Sequence, residues 1–228
     1  MSLFMIKEEI EFKYTSQVIR VPMLVALLMW MVYWVEIKFQ INFTNHGIMP
    51  RSFSGLQGVL FSPFIHGSIK HLFNNTIPIL VFLGMLFYFY RSLSWKVLVL
   101  GVLMSGIGTW IIGVKAYHIG MSGVVYLLFS FIFFSGLFRK YYRLLAVSLI
   151  VIFLYGSMVW YVFPVDRAIS WEGHLSGLIS GLILALVFRK KGPQKKKPQF
   201  TQSEFDTWFD EEGKFNPPKL EADKENEV

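Results

Sequence analysis

The chain's 228 residues suggest one domain, or at most two. Apolar residues make up 54% and charged residues only 16%, against about 25% in soluble domains, so the apolar surface is too large for a water-soluble globule and suits a bilayer. Cysteine is absent, which excludes disulfides and thiolate-held metals, and the net charge of +7 sits in short loops and after the last apolar run, as in membrane orientation rather than nucleic-acid binding.

The N-terminal stretch MSLFMIKEEIEFKYTSQ is amphipathic and charged and does not read as a cleavable signal peptide. A spanning helix needs roughly 20 mostly apolar residues, and six segments approach that length. They cover about 18–35, 64–90, 95–114, 121–138, 142–163 and 171–188. The first is expected to serve as the insertion signal. A long loop, about 36–62, follows it, with Gly47, Pro50, Gly55 and Gly58 among apolar residues; such a loop usually has its own structure or task. Arg91 and Lys96 follow the second segment, Arg139, Lys140 and Arg143 the fourth, and Arg189, Lys190, Lys191 and Lys195–Lys197 the sixth. The opposite loops are poorer in cations, so both termini are expected in the cytoplasm. The chain therefore divides into a cytoplasmic N-terminal segment (1–17), a six-helix membrane domain (18–189) and a cytoplasmic tail (190–228). That tail is basic, then acidic and aromatic, and ends in KLEADKENEV, a disordered composition.

With the N-terminus inside, the second, fourth and sixth segments all run inward from the outer face. Each carries its polar residues near its start: His66, His71 and Asn75, then Ser122, then His174. Ionisable residues inside a membrane are costly and mark functional sites, and three helices bringing polar groups to one depth imply an outward-open, water-filled cavity. His71 and Asn75 share a helix face. Ser122 lies in Gly120-Met121-Ser122-Gly123, where flanking glycines expose a hydroxyl and free its amide N–H. His174, Gly177 and Gly181 form one stripe whose small residues admit a neighbouring helix. Tyr126 lies on the face of Ser122, one turn deeper. A serine hydroxyl needs a base, and neutral histidine suits that role. Glu172 is on another face from His174 and Asp166 is in a loop, so a dyad without a carboxylate is the economical reading. Asn75 and His71 can donate hydrogen bonds to an oxyanion.

The set HGSIKHLFNN, GMSGVVY and GHLSGLISG resembles the rhomboid protease family, over roughly the second to sixth segments. The resemblance implies an all-α, six-helix intramembrane serine endopeptidase that cleaves transmembrane segments of membrane proteins, with no cofactor. It implies Ser122 as nucleophile and His174 as general base. His71 and Asn75, with the backbone at Gly120 and Ser122, would form the oxyanion site, and Tyr126 would pack beside the catalytic histidine. Gly123, Gly177 and Gly181 are read as helix-packing positions. The sequence departs from many bacterial members in the loop after the first helix, where GLQGVLFSPFIHG lacks a Trp-Arg pair; that leaves the loop's conformation open. The compact plan suits a bacterial plasma (inner) membrane.

Blander readings stand beside these. Ser122 alone could be a packing residue and His174 an interhelical hydrogen bond. His66 reads as a loop anchor, while His46 and His118 are expected to face water. The histidine spacing does not suit a metal. The lysines after the last helix read as an orientation signal touching the lipid bilayer, not as a nucleic-acid site. The aromatic–acidic tail is either an inert end or a docking motif for a cytosolic partner. A catalytically inactive rhomboid-like binder of membrane helices and a small transporter are the competing functions.

Overall fold

The computed structural model describes residues 12, 14–165, 169–194 and 204–216. Two units make up the chain, Met1–Lys195 and Lys196–Val228. In the first, α1 (Gln17–Phe39) leads into a loop that carries two short 3-10 turns (Thr44–His46, Ser54–Gln57), the one-turn α2 (Gly58–Phe61) and a third 3-10 turn (Ser62–Phe64). Then come α3 (Ile69–Phe89), α4 (Ser94–Ile112), α5 (Ser122–Arg139), α6 (Tyr142–Tyr155, continuing as a 3-10 helix over Gly156–Val162) and α7 (Trp171–Val187). Asp166 and Arg167 lie outside the described residues.

Among the described residues, five helices are long and apolar enough to cross a membrane, and α7, at 17 residues or about 25 Å, is the shorter sixth. The six apolar runs of the sequence each become one long helix. The second begins later than its hydropathy implies, because Ser62–Phe64 forms a 3-10 turn and Ser68 then caps α3, accepting the His71 N–H at 3.1 Å. Large apolar side chains such as Leu27 and Trp34 on α1, Ile107 on α4 and Leu149 and Phe153 on α6 remain exposed. A bilayer covers such a surface; water would not tolerate it.

The central helix is α5, with 67% of its spanning window buried against 22–44% in the other four long spans. Its Val125, Leu128 and Ile132 pack in one core with Leu72, Ile79, Phe82 and Leu86 of α3 and Leu144, Val147 and Val151 of α6. Helix α7 lies parallel to α5 at backbone contact. A Cβ added at Gly177 would overlap the carbonyl of Gly123, and one at Gly181 would overlap that of Leu127. Without a hydrophobic drive inside lipid, close packing of this kind is what holds helices together. Ser130 adds a hydrogen bond from Oγ to the Leu178 carbonyl, 2.7 Å.

The loop after α1 is tied down even though it lacks a Trp-Arg pair. Arg51 N–H donates to the Trp110 carbonyl (3.1 Å) and its guanidinium to the Ile111 carbonyl (3.0 Å), while Trp110 Nε1 donates back to the Ser52 carbonyl (2.8 Å). An arginine and a tryptophan thus clamp the loop from two separate segments, and the arginine caps carbonyls that the C-terminus of α4 leaves unpaired. Ile48 and His118 pair through both backbone N–H groups, at 2.9 Å each.

Residues 204–216, inside the tail expected to be disordered, form a compact turn. Asp210 Oδ1 accepts from the N–H groups of Glu212 and Lys214, and Phe205, Trp208, Phe209 and Phe215 cluster at centroid separations of 5.3–6.3 Å. Those four aromatic rings supply a local apolar contact that the charged composition around them masks. The last stretch, 219–228, and the lysines at 195–197 lie outside the described residues.

Candidate active site

The N-termini of α3, α5 and α7 meet at the end of the bundle that carries the loop after α1. Ser122 is the first residue of α5, and the two amides before it are spoken for. Gly120 N–H donates to the Ser62 carbonyl (2.8 Å) and Met121 N–H to His66 Nε2 (3.4 Å). Ser122 N–H belongs to the first turn, whose amides have no acceptor within the helix, and it lies at the positive end of the helix dipole. Gly120 adopts φ +106°, which side chains rarely tolerate, and the His71 ring sits where its Cβ would be. The Asn75 amide nitrogen is 3.7 Å from the same point. His71 and Asn75 therefore flank the residue two before Ser122, with Asn75 Nδ2 donating to the His71 carbonyl at 3.2 Å.

His174 is buried, one turn into α7. Its Nδ1 is 2.9 Å from the Tyr161 carbonyl. A carbonyl only accepts, so Nδ1 carries the proton and the neutral ring leaves Nε2 as an acceptor. The Tyr126 ring stacks on His174 at 4.1 Å and 11°, and its hydroxyl donates to the Met158 carbonyl (2.7 Å). Both carbonyls belong to the 3-10 continuation of α6, and that of Tyr161 lies in its last turn, where carbonyls have no partner within the helix. On the facing helices, Gly123 touches the Gly173 carbonyl and Gly177, so the neighbours of Ser122 and of His174 meet at one level.

The sequence misses several participants. The Tyr161 carbonyl orients the histidine, yet a backbone group leaves no signal in the residue string. His118, expected to face water, is buried at 7% exposure. The antiparallel pair with Ile48 draws it inward, and its Nδ1 lies 2.6 Å from Ser170 Oγ. Glu172 is buried as well; its carboxylate accepts the Val114 N–H at 3.2 Å. Ser170, directly before an apolar helical run, has the signature of an N-cap, and it accepts the Gly173 N–H.

His66 is buried beside the edge of His71, with ring centroids 5.0 Å apart, and it ties the loop before Ser122 to the segment before α3. It precedes the spanning residues of α3. Burial, followed by the neighbouring His71, pushes its imidazole down to about 4 against the opposing hydrogen bond to Phe64. His46 is exposed, as expected.

A narrow cavity of about 30 Å³ opens beside Ser122 and is lined by Ser62, Ser105, Thr109, His118, Ser170 and Gly173 among others. It has room for one or two waters, so it is smaller than the open aqueous cavity expected from the sequence. A larger apolar cavity of about 540 Å³ lies between α1 and the following loop and touches none of the candidate catalytic residues.

Residues 54–191, more than half of the chain, match the Rhomboid domain, and the protein belongs to the rhomboid family. Uncharacterized proteins of Mycobacterium bovis and Mycobacterium tuberculosis are 34% identical over 181 residues, covering 73% of this chain and 73% of each relative. An uncharacterized protein of Mycobacterium leprae is 31% identical over 193 residues, covering 75% of this chain and 72% of the relative. Family and helices together define a multi-pass integral membrane protein built on a rhomboid-like helical bundle.

Proposed function

We propose that this protein is an intramembrane serine endopeptidase acting through a Ser122–His174 dyad on transmembrane segments of membrane proteins, in a plasma membrane with both its termini cytoplasmic. The observation that carries the reading is the hydrogen bond from His174 Nδ1 to the Tyr161 carbonyl, because it leaves Nε2 as the acceptor on the helix packed against Ser122.

In the first half-reaction Ser122 Oγ attacks the scissile carbonyl carbon, and its proton passes to His174 Nε2. The charge that develops on the carbonyl oxygen is met by Ser122 N–H, the Asn75 amide and His71. The C–N bond breaks as His174 returns the proton to the leaving amine, which gives an acyl ester on Ser122. A water from the cavity beside Ser122 then attacks the ester, with His174 accepting its proton and restoring it to Oγ. Tyr161's carbonyl serves in place of an orienting carboxylate, and Tyr126 fixes the ring plane.

The test is cleavage of a transmembrane substrate by the purified protein in liposomes, alongside Ser122→Ala and His174→Ala, with fluorophosphonate labelling as a second readout. Wild type is expected to cleave and to label at Ser122, and both variants to lose at least about 10³-fold in rate. Equal cleavage by wild type and Ser122→Ala rejects the reading. A folded wild type that neither cleaves several substrates nor labels is an inactive member of the family.

A further inference from the structure

We propose that His118 is a positioning residue for this cleavage reaction, acting through Ser170 on the start of the helix that carries His174; this inference rests on the proposed function. The hydrogen bonds around His118 have one consistent direction. Its Nε2 is 3.1 Å from the Val114 carbonyl, which only accepts, so Nε2 carries the proton. Nδ1 is then an acceptor, and the contact at 2.6 Å is Ser170 Oγ–H donating to it. That leaves the Ser170 oxygen to accept the Gly173 N–H at 3.2 Å, which caps α7 one residue before His174. The relay runs from the loop between α4 and α5, through the imidazole and the hydroxyl, to the backbone of the base helix.

The same residue meets two other segments. Its backbone pairs with Ile48 in the clamped loop after α1, and four residues later the chain reaches Ser122. Glu172 ties the loop to α7 a second time, through Val114 N–H. His118, Ser122, Ser170 and Gly173 all line the one narrow cavity. A buried polar ring is costly unless its nitrogens are satisfied, and here the two partners are the nucleophile's own loop and the cap of the base helix. His118 thereby sets the separation of Ser122 from His174 without touching the reacting atoms. A misplacement near 1 Å costs up to about 10²-fold in rate.

The experiment compares kcat and KM for a transmembrane substrate in liposomes among wild type, His118→Ala, His118→Asn, His118→Gln, Ser170→Ala and the double variant His118→Ala/Ser170→Ala. Asn places an amide oxygen where Nδ1 accepts from Ser170, whereas Gln places its amide where Nε2 donates to Val114. The alanine singles are expected to lower kcat by about 10- to 10²-fold with KM within twofold, and the double variant to be no slower than His118→Ala. Asn should recover most of the rate and Gln should not. A kcat within twofold of wild type in His118→Ala, rescue by Gln equal to that by Asn, or an additive double variant overturns the proposal while wild-type cleavage leaves the protease reading standing. If His118→Ala does not fold, the Asn and Gln pair decides. A wild type that neither cleaves nor labels removes the protease reading and this inference together.

Discussion

The two ends of the bundle use polar groups differently. At the end opposite the candidate site, Ser148 and Arg139 both close on backbone carbonyls. Ser148 Oγ reaches those of Phe133 and Leu144, and Arg139 donates to Phe188 (2.8 Å) and Lys191 (2.9 Å) while its guanidinium stands 5.3 Å over the Tyr90 ring. At the site end, polar side chains bond not only to carbonyls but also to one another across loops, as Ser170 does with His118, and His174 engages the Tyr161 carbonyl through Nδ1, which leaves Nε2 as an acceptor. Saturation serves stability, because a buried polar group without a partner costs free energy. A group with valence to spare is the form that chemistry requires, so substitutions at the two ends should separate rate from stability.

The largest effect belongs to the site end. Asn75→Ala removes a donor beside Gly120 without opening a large void, and is expected to lower kcat by about 10²–10³-fold, as loss of one oxyanion donor typically does. The melting temperature should move little, since the amide's hydrogen bond is to the carbonyl of its own helix at His71. Turnover and thermal unfolding on one preparation check both halves. A variant with wild-type kcat would take Asn75 out of the oxyanion site.

Much of this contrast is legible in the residue string, because membrane topology converts position into depth. His71, Asn75, Ser122 and His174 each follow the start of the second, fourth or sixth apolar segment, alternate segments that run in one direction, and Tyr126 and Gly177 follow by helical spacing. What the string hides is non-local. His118, with Lys115 and Tyr117 close by, reads as a water-facing loop residue until Ile48, far away in sequence, pairs with it. The loop clamp is illegible for the same reason, since Arg51 and Trp110 are partners only in space. The start of α3 is hidden for another reason: the hydropathy run reaches back to about Phe64, but Pro63 stands in a 3-10 turn over Ser62–Phe64 and Ser68 caps the helix before Ile69.

Arg139 tests the other end. Arg139→Met keeps much of the side chain's volume but removes the charged donor to the Phe188 and Lys191 carbonyls, leaving Phe188 with the Lys191 N–H and Lys191 with the Gln194 amide at 3.4 Å. The expected cost is about 1–3 kcal/mol of stability, read as a lower denaturant midpoint in detergent. The kcat of the folded fraction should stay within twofold of wild type. A large fall in kcat at unchanged stability would erase the division between the two ends.

A third effect lies between the two roles, in the pH dependence of folding set by His66. Its folded-state pKa of about 4 is below the ordinary 6.5, so between those values the unfolded chain binds a proton that the folded chain does not. Stability therefore rises with pH across this window, is fully present above about 6.5, and is lost as pH falls towards 4. Protonation at Nε2 also ends its acceptance of the Met121 N–H, the bond that holds the loop before Ser122. In His66→Gln an amide oxygen accepts in place of Nε2 and does not titrate. Thermal melts from pH 7 to 4 should show a shallower loss for the variant than for wild type. Parallel curves would assign the acid sensitivity to other groups and leave His66 as an anchor with no part in it.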